Sequence, residues 1–184
     1  RHPLEPVVNE FRRTWGENLL DMAEAEGRGL VEALLDREPN RLGAEFRDML
    51  ALSMTLKQPS VIRIPREQTP DLYKFRTQRA PFALGKGELL AAGKHGAILA
   101  YGVMTAKALQ AREMLLKEGL DVAVANARFA KPLDVDLTVR LSKEYPWILT
   151  LEDHAAMGGF GGAVLEALSL RNADASKVKI HAIP

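Results

Sequence analysis

The chain has 184 residues, 47% of them hydrophobic, enough for one good core with a smaller appendage. Lys and Arg total 25 against 24 Asp and Glu, which excludes the broad basic face of a nucleic-acid or anionic-membrane binder and leaves local phosphate binding open. With no cysteine, disulfides, thiolate metal sites and cysteine nucleophiles are excluded; no apolar run nears the ~20 residues that span a bilayer, and RHPLEPVVNEFRR lacks a signal-peptide core, so a cytoplasmic location is expected.

From Glu5 to about Leu35 apolar residues recur at helical spacing, interrupted at Gly16 and near Gly27 and Gly29, which predicts two or three amphipathic helical pieces. Pro39-Asn40 breaks the pattern, Ala44 to Leu56 resumes it as a helix ended by Gln58-Pro59, and Ser60 to Pro65 reads as a strand. Arg66 to Gly87 has the composition of a linker. Glu88 to Ala92 and Ala97 to Gly102 are strand candidates, with Gly93-Lys94-His95-Gly96 read as a hairpin turn between them. A helix is predicted from Met104 to Glu118 with Gly119 as its C-cap, and Lys107, Arg112, Glu113, Lys117 and Glu118 form its wet face.

The alternation then repeats. LDVAVA (Leu120 to Ala125) fits a buried parallel strand, Val135 to Glu144 a helix capped by Asp134, Trp147 to Glu152 a strand, Gly161 to Leu170 a helix and Val178 to Ile183 a last strand. Strands and helices alternating at short connections predict an α/β fold: a three-layer domain with a five-stranded, mostly parallel sheet and one antiparallel edge, preceded by a helical remnant. The expected organisation is a helical segment with the end of a truncated domain over 1–66, a linker over 67–81 and the α/β domain over 82–184.

Three features invite chemistry. Arg128 follows the strand at Ala125, at the edge where α/β sheets collect ligands; its guanidinium either grips a phosphate or carboxylate bidentately or pairs with an acidic side chain and orders the loop. Arg63 leaves the Val61 to Pro65 segment, and if the halves of the chain pack together the two arginines converge on one anion. Glu152 to Gly162 (EDHAAMGGFGG) leads into a helix; such glycines suit a phosphate at a helix N-terminus, but without a P-loop lysine or GxGxxG spacing the simpler reading is a tight turn packed against a neighbour. His154 lies in that stretch, where Glu152 or Asp153 can raise its basicity; it suits an acid–base role or a loop-ordering hydrogen bond. No second histidine lies at zinc-ligand spacing.

The ordered set PSVIRIPR, LGKGELLAAG with AILAYGVM, VANARFAKPLD and ILTLEDHAAMGGFGGAVLEAL resembles the C-terminal region of the 1-deoxy-D-xylulose-5-phosphate synthase family, within the transketolase superfamily, from about Arg47 to Pro184. The resemblance implies a thiamine-diphosphate-dependent transferase that joins pyruvate to D-glyceraldehyde 3-phosphate, with loss of carbon dioxide, for isoprenoid and thiamine biosynthesis. It also implies that Arg63 and Arg128, which match the arginines of the family's PSxxRYPRG and ARFxKPLD stretches, hold the acceptor phosphate. Lys131 and Asp134 would shape the loop. Ile64 stands where the family has tyrosine and Glu67 where it has glycine. The glutamate that activates thiamine diphosphate and the GDG-type diphosphate and Mg2+ motif have no counterpart in these residues.

The expectation is therefore a fragment, a split subunit or a divergent relative, with the fragment favoured and no decarboxylation by this chain alone. Thiamine diphosphate and Mg2+ would belong to the full-length enzyme, and the partners would be a second copy in a homodimer or the missing domains. The competing readings are a non-catalytic binding or assembly module and the C-terminal part of a 2-oxo-acid dehydrogenase E1 β subunit.

Overall fold

A computed structural model of the chain describes residues 44–64 and 81–184. All of them belong to one compact unit, Asn40–Pro184. The expected helices before Ala44, the segment 65–80, His2 and Arg66 lie outside the described residues. Helix α1 (Ala44–Thr55) comes first, and the residues that follow it to Ile64 form no strand. A strand exists only by its ladder, and among the described residues none pairs with Val61 to Ile64; the expected strand there is corrected.

From Glu88 the order is β1 (Glu88–Ala91), β2 (Ala97–Ala100), α2 (Met104–Lys117), β3 (Ala123–Asn126), α3 (Val135–Glu144), β4 (Ile148–Ala155), α4 (Phe160–Leu170) and β5 (Val178–Ile183). The five strands form one sheet in the order β1-β3-β2-β4-β5, parallel except for β1 against β3. The antiparallel edge is as expected, but its partner is not: β1 and β2 make no hairpin, because β3 lies between them. Every residue of β3 is buried, so it needs a strand on each side, while the half-buried β1 tolerates the edge. The Gly93–Gly96 turn crosses the start of β3 instead, with the Lys94 and His95 N–H groups donating to the Asp121 carbonyl at 2.8 and 2.9 Å.

The two-residue period of the strands divides the core into two faces. Ala97, Leu99, Ala123, Ala125 and Ile148 pack under α3 and α4 against Leu137, Leu141, Phe160, Val164 and Leu168. Ile98, Ala100, Val122, Val124 and Leu151 pack under α2 against Ala108 and Leu109. The result is three layers. Gly119, at φ 81, ends α2 as expected: the Leu120 N–H reaches back to the Leu115 carbonyl at 2.9 Å and that of Gly119 to Leu116 at 3.1 Å. Arg112 is not on the wet face. Its guanidinium donates to the Val122 and Ala92 carbonyls and to Asp121, tying α2 to the ends of β1 and β3.

Candidate functional site

The chain leaves β2 toward α2 on one face and leaves β3 and β4 toward α3 and α4 on the other. Where neighbouring connections diverge, a crevice opens at the carboxyl ends of the strands, the usual ligand position in α/β sheets. Tyr101 stands just past β2 at this point, stacked on Phe160 with ring centroids 5.2 Å apart. Arg128 lies on one side of it, past β3, and Glu152 to His154 on the other, along β4. Burial pushes the Tyr101 phenol above its ordinary value; the nearby Arg63 guanidinium pulls it down, and Asp153 and Glu152 push it up.

Arg128 turns off the strand in the left-handed region, φ 58, which a non-glycine residue enters only when held there. The Asn126 side-chain carbonyl supplies the hold by accepting the Arg128 N–H at 3.0 Å. The guanidinium side chain is 1% exposed; its Nη2 pairs with the buried Glu88 carboxylate, its Nε lies 3.4 Å from Glu45 of α1, and it sits 4.8 Å above the Phe82 ring. Of the two roles open to this arginine, the structure displays the acidic pairing. Asp134 shapes the same loop, accepting the Leu137 N–H as the cap of α3 and the Gly87 N–H from the turn before β1, both at 3.0 Å. The exposed Lys131 makes no such link among the described contacts.

Arg63 is the more accessible cation, its side chain 46% exposed, and its Nη1 bonds the Asp153 carboxylate at 2.9 Å. Its described carboxylate partner, Asp153, differs from those of Arg128, Glu88 and Glu45. His154 stands exposed near the end of β4. The acidic neighbours expected to act on it are engaged elsewhere: Asp153 holds Arg63, and Glu152, 2% exposed, turns inward to accept the Phe160 and Gly161 N–H groups, both at 2.7 Å.

Gly159 and Gly161 of the glycine run are thereby explained. The N-terminus of α4 is an anion site already filled by the chain's own carboxylate. A Cβ on Gly161 would stand 2.7 Å from the Thr150 hydroxyl and 2.8 Å from Ile180, and one on Gly159 would meet Glu152 at 2.6 Å, so these glycines permit close packing of helix on strand. The turn is tight, and it packs on the chain's own strands β4 and β5.

The roles of Glu45, Glu88, Asn126 and Asp153 were not legible in the sequence beforehand. GKGE and NAR mark two of the segments involved, but Glu45 looks like any polar residue of an amphipathic helix. Burial pushes the Glu45 carboxyl above its usual 4.5, with Glu88 adding to the rise and Arg128 and the Asn126 hydrogen bond opposing it. The folded chain then binds this proton more tightly than the unfolded chain does. The contribution to stability is complete below about pH 4.5 and is lost as the pH rises through the folded value. Glu45→Gln, which mimics the protonated acid, should match wild type in thermal melts near pH 4.5 and exceed it increasingly toward neutrality; parallel curves would contradict this.

The three layers and the mostly parallel sheet with one antiparallel edge define an α/β domain of the transketolase C-terminal type. The chain belongs to the transketolase C-terminal domain family, whose model (Transketolase, C-terminal domain) matches residues 85–183. It is 41% identical over 126 residues to the 1-deoxy-D-xylulose-5-phosphate synthase of Thermosynechococcus vestitus, covering 68% of this chain and 20% of that protein. It is 38% identical over 136 residues to the synthase of Acidobacterium capsulatum, covering 74% of this chain and 22% of that protein. The chain thus spans about a fifth of the length of these curated relatives. A solved structure titled "Split gene transketolase, inactive beta4 tetramer" superposes with a TM-score of 0.69 at 32% identity, over 76% of this chain and 45% of that one. The resemblance to a synthase C-terminal region is borne out. No described helix is long and apolar enough to cross a membrane.

Proposed function

We propose that the chain is the C-terminal part of a cytoplasmic, thiamine-diphosphate-dependent 1-deoxy-D-xylulose-5-phosphate synthase, in which it binds the phosphate of D-glyceraldehyde 3-phosphate and makes subunit contacts in a homodimer or with the remaining domains. The observation that carries this reading is the identity of about 40% with named synthases over two thirds of the chain. Arg63 and Arg128 are the phosphate ligands in this reading, and His154 is an exposed edge residue able to contact the site. In both arginines a carboxylate holds the guanidinium, as Asp153 does Arg63 and Glu88 does Arg128, with Glu45 3.4 Å from the Arg128 Nε. A phosphate dianion would replace one or both by the same charge-assisted geometry.

Phosphate binding remote from the reacting carbon would orient the aldehyde for attack, which is the use of binding energy that raises turnover. Thiamine diphosphate would supply the carbanion chemistry when bound. The residues described do not fit that cofactor: no group of three or more His, Asp or Glu among them could hold a metal ion, and Glu152 fills the glycine-rich helix terminus. In this reading thiamine diphosphate and Mg2+ belong to the full-length enzyme.

Titration of D-glyceraldehyde 3-phosphate into wild type, Arg63→Ala and Arg128→Lys tests the reading. Binding by the wild type, weakened about tenfold or more in each variant, is expected, since loss of a bidentate guanidinium on an anion is worth about 1.5–3 kcal/mol. No binding to the folded wild type would favour an assembly module. Robust turnover of pyruvate by the purified chain with thiamine diphosphate and magnesium added would contradict the division of labour.

A further inference from the structure

Glu45 is held by a donor set that is not particular to a carboxylate. Asn126 Nδ2 donates to both of its oxygens, at 3.0 and 3.3 Å, and Arg128 Nε lies 3.4 Å from one of them. The amide has no freedom to reverse, because its Oδ1 already accepts the Arg128 N–H. An amide N–H and a guanidinium fixed on the sheet edge converge on one pair of anionic oxygens, and sulfate or phosphoryl oxygens satisfy the same geometry.

The two acids are not equivalent. Glu88 belongs to the sheet, its side chain 4% exposed, and holds Nη2 directly. Glu45 comes from α1, outside the sheet, and its side chain is 22% exposed. Among the described residues the charged groups facing it are Arg128 and Glu88, with Asn126 as the polar neighbour. We propose that Glu45 is a placeholder: its carboxylate fills an oxyanion seat built by Asn126 and Arg128, and it must withdraw before an anionic ligand can enter.

This rests on the reading of Arg128 as a phosphate ligand, and adds to it an occupant and a new ligand, Asn126. Whatever weakens the hold of Glu45 then strengthens anion binding, because apparent affinity falls with the fraction of molecules whose seat is open. The burial-driven rise in the Glu45 pKa means that the seated carboxyl keeps its proton better than a withdrawn one, so protonation holds the seat filled and deprotonation favours release.

Sulfate is the probe, because its charge is constant between about pH 5 and 8, unlike that of a phosphate ester. Calorimetric titration into wild type, Glu45→Ala and Glu45→Gln is read together with the 15N-resolved signals of the Asn126 side-chain amide. Sulfate should bind Glu45→Ala about tenfold or more tighter than wild type at neutral pH. Glu45→Gln, which keeps the seat filled with a neutral group, should bind no tighter than wild type, and the Asn126 amide should shift when sulfate binds Glu45→Ala. Lowering the pH should weaken binding to wild type and leave Glu45→Ala unchanged, and Arg128→Lys in the Glu45→Ala chain should lose the gain. Equal affinity and equal pH response in wild type and Glu45→Ala would overturn the placeholder while leaving Arg128 as an anion ligand. Absence of sulfate binding from all three folded proteins would overturn both.

Discussion

Arg128→Met is expected to lower the unfolding free energy by about 3–5 kcal/mol, the range for removing one member of a buried ion pair. The cause is less the loss of attraction than what remains. Glu88, 5% exposed, is left beside an apolar side chain without the Arg128 guanidinium that answers its charge, and Glu45 loses the cation that partly offsets its burial. A second substitution separates these effects. In the Arg128→Met chain, Glu88→Gln removes the stranded charge and should recover part of the loss, whereas two independent sites would give simple addition. Arg63→Ala is the internal contrast. Its pair with Asp153 is largely open to solvent, and exposed pairs contribute about 0–1 kcal/mol, so the urea midpoint should hardly move. Comparable shifts for Arg63→Ala and Arg128→Met would mean that the Arg128 cluster is not buried in solution.

The second large effect is expected at Glu152. Its two oxygens each accept a backbone N–H at the start of α4, at 2.7 Å, inside a packed strand–helix junction that water does not reach. Hydrogen bonds to a charged group contribute about 1.5–3 kcal/mol each, and leaving the donors buried and unpaired adds desolvation, so Glu152→Ala should cost about 3–5 kcal/mol. The carboxylate also faces the positive end of the helix dipole. Glu152→Gln keeps one accepting oxygen but turns an NH2 group toward a second N–H, so it should recover less than half of the loss. The denaturant slope should remain that of wild type in both variants if only the folded junction is weakened. If Glu152→Gln equals wild type, neither the charge nor the second acceptor matters, and the filled-terminus account of the glycine run fails.

Much of the domain was legible in the sequence because periodicity reports burial. The run around Val122 to Ala125 is apolar at every position since β3 is covered on both faces, and the 3.6-residue stripe of Val135 to Glu144 matches a helix with one buried side. Gly119 and Asp134 could be placed as a C-cap and an N-cap because capping is local chemistry, settled within four residues along the chain. The hairpin assigned to Gly93–Gly96 failed for the complementary reason. Local turn composition cannot disclose that β3, arriving some thirty residues later, takes the place between β1 and β2.

The edge chemistry divides in the same way. That Arg128 would stand at the carboxyl end of a strand followed from sequence order alone, and so did the closeness of Glu152 to a glycine-rich helix start. Which charges these residues meet did not follow, because Glu45 lies 81 residues from Asn126 and Arg63 lies 90 from Asp153. Pairings at such separations are selected by the packing of whole elements, and no local pattern encodes them. The sequence by itself determined the class of fold, the alternation of its layers and the family motifs. Only the tertiary structure decided that each candidate cation is already held by a carboxylate, because the partner of a charge is set by distance in space.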